Sequence, residues 1–145
     1  RTVLDPDGHD GLPGQMKGLG LLDVETRMTG NKRVVESDGR SVELDVPVTG
    51  YEIHTGETNG PDVERPFAIL AGQPDGARSA SGKIQGTYLH GAFTSDDFRR
   101  AWLRRLGTET GDTLDYDAAV EQALDALADG VEAALNIEAL FALAD

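Results

Sequence analysis

The apolar residues of this chain change their spacing once, and that change limits the folds open to it. Between Leu19 and His90 they fall in short runs of β character, at 21–28, 33–36, 41–48, 51–54, 67–70 and 84–90. Val42, Leu44, Val46 and Val48 alternate with polar or small residues, the period-two pattern of a strand with one buried face. Asp38-Gly39 reads as a hairpin turn, because both residues tolerate positive φ. From Thr94 onward the spacing is helical. Thr94 or Ser95 stands at a capping position, Asp96 and Asp97 lie in the first turn, Arg104 and Arg105 in the last, and Gly107 follows; these charges complement the helix dipole. Phe98, Trp102 and Leu106 make the apolar stripe of this helix. A second helix is expected from about Asp117 to Leu135, with Val120, Leu124, Leu127, Val131 and Leu135 on one face; Gly130 weakens it by about 1 kcal/mol relative to alanine without breaking it. Asn136 caps a last short helix bearing Ile137, Leu140 and Phe141.

Arg1 to Gly20 reads as loop, since Asp5-Pro-Asp-Gly8 and Leu12-Pro-Gly14 are turn chemistry. With 145 residues, 39% of them hydrophobic, the chain can bury a core and is expected to form one soluble unit. No stretch approaches the roughly 18 consecutive apolar residues that span a bilayer, and the first residues lack the layout of a signal peptide. The cytoplasm is the default location. The absence of cysteine rules out disulfides and thiolate metal sites. A formal net charge of −13 opposes binding to phosphate backbones and anionic membranes, so neither nucleic acid nor membrane is an expected partner.

The segment with most chemical content is Ile84-Gln-Gly-Thr-Tyr-Leu-His-Gly-Ala-Phe93. A strand pattern ends at His90, a glycine follows, and a helix begins shortly after. In open α/β sheets that edge is where ligands bind. An imidazole titrates near neutral pH and suits proton transfer with a thiol or an amine leaving group, although a histidine merely hydrogen-bonded in a loop fits the same pattern. His54 is the second candidate, in Gly50-Tyr-Glu-Ile-His-Thr-Gly56. In a strand Glu52 and His54 face the same side, where the carboxylate could tune the ring or form only a surface pair. His9 lies in the opening loop. Neither helical metal spacing between histidines nor a His-Glu-x-x-His segment occurs, so no metal site is expected. Gly18-Leu-Gly lacks the third glycine of a dinucleotide fingerprint, and Gly72 to Gly76 lacks the Lys-Ser/Thr of a phosphate-binding loop.

Taken in order, Gly18-Leu-Gly-Leu-Leu-Asp-Val-Glu-Thr26, Gly50-Tyr-Glu-Ile-His-Thr-Gly-Glu-Thr58 and Gly86-Thr-Tyr-Leu-His-Gly-Ala-Phe93 resemble the glutamine amidotransferase domain of the cobyric acid synthase family. The resemblance spans nearly all of Leu19 to Asp145. It implies an α/β fold: an incomplete class I, triad-type, flavodoxin-like three-layer domain, strand-rich in its first two thirds and helical at its end. Residues 1–145 would be the C-terminal portion of that domain, with 1–18 a loop after the nucleophile turn and 114–145 a helical tail.

The resemblance further implies that His90 is the base of a glutaminase whose nucleophile is a cysteine on a strand-to-helix turn. That turn would lie just before Asp5 to Gly8. The chain has no cysteine, so it is expected to be truncated after the nucleophile and inactive alone. Many triad amidotransferases carry a glutamate two residues after the histidine; Ala92 stands there, and Glu52 is the conjectured orienting group instead. Tyr51, Glu52 and His54 are expected to line or support the substrate site. ATP, magnesium and a corrinoid whose side-chain carboxylates are amidated in cobalamin biosynthesis belong by resemblance to the parent enzyme and its upstream synthetase domain, with glutamine as the substrate here. Two other readings stay open: a cell-wall precursor (lipid II) amidotransferase subunit, which shares Gly-Thr-Tyr-Leu-His-Gly, and a non-catalytic acidic binding module.

Overall fold

The computed structural model of the chain describes residues 1–108 and 114–143. Residues 1–110 form one compact unit and 111–145 a second. In the first unit the strands are β1 (Thr2–Asp5), β2 (Gly14–Lys17), β3 (Glu25–Ser41), β4 (Pro47–Asn59), β5 (Ala68–Leu70), β6 (Gln73–Asp75), β7 (Ala77–Arg78), β8 (Gln85–Gly86) and β9 (Leu89–His90), followed by helix α1 (Asp96–Arg105). The second unit holds α2 (Tyr116–Ala134) and α3 (Ile137–Ala142). Strands in the first two thirds and helices at the end are the division that the change of spacing predicts.

The long hairpin of β3 and β4 is the frame of the sheet. Its order runs β2-β1-β3-β4-β9, with β5 also on β3 and β6 on β5. The pairing of β1 with β3 is parallel and the others are antiparallel, so the sheet is mixed. The register of β3 and β4 shifts between Met28 and Arg33. β7 and β8 form a separate two-stranded ribbon.

Three local expectations need correction. Residues 1–18 are a hairpin, with Thr2 opposite Lys17 and Asp5 opposite Gly14. Its turn is held by the Asp5 carboxylate, which accepts the His9 and Asp10 N–H groups at 2.8 Å each; these bonds hold its pKa below the ordinary carboxylate range. The second concerns residues 42–44, which form the turn between β3 and β4 and no strand. Ser41 N–H reaches the Val46 carbonyl at 3.0 Å there, and Leu44 and Val46 lean on the core. Alternation at those positions comes from a turn that caps the core. Third, Asp38-Gly39 is no turn. Gly39 lies inside β3, between Val48 of β4 and Leu70 of β5, and a Cβ there would sit 2.9 Å from the Leu70 Cα. A side chain would wedge β5 away, which is why glycine fits a three-stranded stretch at close approach.

The core joins Val48, Phe67, Ala68, Leu70, Leu89, Ala92 and Phe98. Phe98 is fully buried, 5.6 Å edge-on from Phe67 and 5.7 Å from Trp102 between ring centres. Helix α1 is therefore fixed to the sheet by Phe98 and Trp102, while Leu106, the third residue of the expected stripe, is exposed. Ser95 precedes α1 but does not cap it; its hydroxyl points to the Pro47 carbonyl at 3.4 Å. Gly107 closes the helix, its N–H on the Arg104 carbonyl at 2.9 Å and that of Thr108 on Leu103 at 3.0 Å, the double bond of a glycine C-terminal motif.

In the second unit Asp115 caps α2 by accepting from the Ala118 N–H, and Asn136 caps α3 through the Ala139 N–H, both at 3.0 Å. Helix α2 runs through Gly130 unbroken. Among the described residues, the Val120, Leu124, Leu127 and Val131 stripe is exposed.

Candidate active site

Alternation along β4 decides what can meet what. Val48, Gly50, Glu52 and Gly56 are buried on one face, while Tyr51 and Ile53 on the other are exposed. β9 pairs with β4 so that Tyr51 stands opposite His90 and Glu52 opposite Leu89. Directly opposed residues of an antiparallel pair project from the same face, with Cβ atoms about 5 Å apart. Tyr51 and His90 are thus cross-strand neighbours on the open face. Leu89, 4% exposed, faces the core beside Glu52.

This arrangement corrects the conjecture that Glu52 orients His90, because the pleat puts them on opposite faces. Glu52 has other partners. Its carboxylate accepts from Arg33 Nε at 2.8 Å and Nη2 at 3.2 Å, and from the Ser37 hydroxyl. The Arg33 guanidinium is the main reason its pKa is held below the ordinary range; Ser37 and the neighbouring His54 act in the same direction and burial acts against them. A buried carboxylate with a bidentate arginine and a hydroxyl is a satisfied, rigid group. Glu52 and His54 do share a face, as their spacing predicts. The His54 ring stacks on Tyr88 at 4.3 Å between centres and 23° between planes, and its Nδ1 lies 2.9 Å from the Gly56 carbonyl oxygen.

Glu52 and His54 line a cleft of about 860 Å³ together with Arg33, Asp75, Thr87 and Tyr88; Tyr51 and His90 do not line it. The four residues singled out in the sequence therefore divide into two pairs, one on each side of the sheet. Asp75 and Thr87 carry no sequence signal of a role, because Gln73-Pro-Asp-Gly76 reads as a turn and Thr87 as one residue of a strand. Asp75 is buried, and accepts from the Thr87 hydroxyl. Burial pushes its carboxyl above the usual range despite that bond, and nearby Glu52 adds to the rise while His54 opposes it.

The segment expected as one strand over 84–90 is two short strands with a bend at Tyr88. The bend is where Thr87 turns to Asp75. It also lets the last residue of β9, His90, end at the rim of the sheet, where Gly91 leads into a 3₁₀ turn over Ala92–Thr94. Gly50 makes the close approach of β9 possible, since a Cβ there would lie 3.2 Å from the His90 carbonyl carbon, 3.1 Å from Leu89 Cγ, and inside contact distance of the His90 carbonyl oxygen.

An exposed histidine thus stands at the end of an edge strand, on a mixed sheet backed by a helix. The model of the CobB/CobQ-like glutamine amidotransferase domain matches residues 1–98, and the chain belongs to that family. Among curated relatives, the cobyric acid synthases of Cereibacter sphaeroides and Paracoccus denitrificans are 55% and 54% identical over 144 residues, and that of Bradyrhizobium diazoefficiens is 51% identical, each over 99% of this chain. The chain spans about 30% of the length of these relatives.

Gly72 and Gly76 flank β6 with no lysine and threonine or serine after them, and among the described residues no group of three or more His, Asp or Glu side chains is placed to hold a metal ion.

Proposed function

We propose that residues 1–145 are the C-terminal portion of the amidotransferase domain of a cobyric acid synthase, and that His90 is the base of its glutaminase site. The observation that carries this reading is the position of His90: it ends β9, is exposed, and stands beside Tyr51 on the face opposite the Glu52 cluster. The sequence has no cysteine, so the nucleophile must come from residues outside these 145. The open face is where such a thiol would approach. In this scheme the neutral imidazole takes the thiol proton as sulfur attacks the glutamine side-chain amide, then returns it to the departing ammonia, leaving a thioester for water to cleave.

Tyr51 lines that face, whereas Glu52 and His54 support the strand from behind. Glutamine is the substrate, and the ammonia serves an ATP- and magnesium-dependent synthetase domain of the same protein that amidates side-chain carboxylates of a corrinoid. Support for this assignment, over the cell-wall and binding-module readings, comes from relatives that share half of these residues and carry the cobyric acid synthase name. A cytoplasmic setting goes with it; no helix among the described residues is long and apolar enough to cross a membrane.

The test is His90→Ala in the cysteine-containing polypeptide. Glutamine hydrolysis should fall at least about 100-fold, the scale of a lost general base, while amidation supplied with free ammonia persists. Unchanged glutamine hydrolysis would remove His90 from the mechanism.

A further inference from the structure

β9 is two residues long and lies at the end of the sheet order, so its ladder to β4 holds His90 by the pairs Glu52–Leu89 and Tyr51–His90 alone. So short a ladder leaves the direction of the imidazole dependent on whatever fixes the chain just before it. Thr87 and Tyr88 are fixed from the far side of the sheet. The Thr87 hydroxyl donates to Asp75 and accepts the Leu89 N–H at 2.9 Å. With the carboxylate accepting, the hydroxyl proton has one direction available, which leaves its lone pair to the Leu89 amide. The Tyr88 ring stacks on His54, and its hydroxyl shares a hydrogen bond with Thr58. Asp75 in turn stands on β6, opposite Ala68 in the core.

We infer that Asp75 and Thr87 are positioning residues for His90: the relay Asp75–Thr87–Leu89 N–H sets the bend before β9 and so aims the imidazole at the open face. This rests on His90 acting as the base. None of the three groups reaches that face, so they touch neither glutamine nor the thiol. The cleft cluster is then a buttress for the strand behind the catalytic surface. Misplacing a base by about 1 Å costs on the order of 100-fold in rate, which is the scale the relay can control.

The experiment compares Thr87→Val, Thr87→Ser and Asp75→Asn with His90→Ala in the glutamine-hydrolysing polypeptide that carries these residues. Turnover with glutamine is divided by turnover with free ammonia, which needs no histidine base and therefore counts folded enzyme. Thr87→Val loses both ends of the relay and should lower that ratio about 10- to 100-fold through kcat, with KM for glutamine within about threefold of wild type and the acid limb of the kcat/KM profile displaced. Thr87→Ser keeps the hydroxyl and should restore the ratio to within about threefold. Asp75→Asn keeps one acceptor oxygen and should lose about tenfold; it carries the test if Thr87→Val does not accumulate. A ratio within about threefold of wild type in both Thr87→Val and Asp75→Asn, while His90→Ala abolishes glutamine hydrolysis, overturns the positioning role and leaves the base assignment standing. Intact glutamine hydrolysis in His90→Ala overturns both.

Discussion

Gly50→Ala is the sharpest perturbation of the site that alters none of its polar side chains. The new methyl would meet the His90 carbonyl and lie 3.1 Å from Leu89 Cγ, so β9 must retreat or detach. Retreat is an overpacking event of about 1–3 kcal/mol. Detachment gives up two backbone pairs worth about 1 kcal/mol each and the burial of Leu89, worth about 1.5–3 kcal/mol, so retreat is the cheaper response. A loss near 2 kcal/mol follows, or about 8 °C in Tm for a unit of this size. Trp102, the single tryptophan, packs on the core that Leu89 joins, so its fluorescence reports the melt. Deuterium exchange of the peptide spanning Leu89 and His90 should rise with it. Gly14→Ala is the matched control, since the nearest atom to its added Cβ is 4.0 Å away. If Gly50→Ala melts within about 2 °C of wild type and leaves exchange at Leu89 unchanged, the close approach of β9 to β4 is wrong.

Further measurements probe the support of the site. Phe98→Ala removes a fully buried ring that touches Phe67 and Trp102 and should cost about 3–5 kcal/mol, lowering the urea midpoint by more than about 1 M; a smaller loss would mean that α1 is not clamped to the sheet. Glu52 has a folded pKa below its unfolded value of about 4.5, so its stabilisation is present above that pH and is lost as the pH falls through the folded value. Glu52→Gln should therefore melt lower than wild type at pH 7, with the difference shrinking below about pH 4.5; parallel curves over that range would contradict the Arg33–Ser37–Glu52 assignment.

The helical third is legible because its signals are local. Asp96, Asp97, Arg104, Arg105, Asn136 and the apolar stripes act within a turn or two of themselves, and the helices form where those residues stand. Strand order and face are long-range properties, and there the sequence is ambiguous. Val42 to Val48 alternates like a strand but turns before it reaches β4, because Val46 and Leu44 find the core by closing the hairpin. The first hairpin is missed since Gly14–Lys17 is exposed throughout and carries no pattern of burial. His90 at the end of a strand, and Glu52 beside His54, are both visible from spacing. The face that His90 shares with Tyr51, and the role of Asp75, depend on a β4–β9 register that no local residue encodes.

That register has a consequence for which changes of length the chain can absorb. Leu89 and His90 are adjacent residues with opposite requirements, one in the core and the other outside it. Inserting or deleting a single residue between Thr87 and His90 would exchange them, burying an imidazole and exposing a leucine, because the side chains of a strand repeat every second residue. The turn between β7 and β8 carries no such constraint. Its tip at Ala80, Ser81 and Lys83 is exposed, and its closure depends on Ser79 and Ile84, joined at 2.9 Å. Variation in length among relatives should therefore collect at residues 80–83 and stop short of Thr87, a boundary drawn by the alternation of two neighbouring side chains.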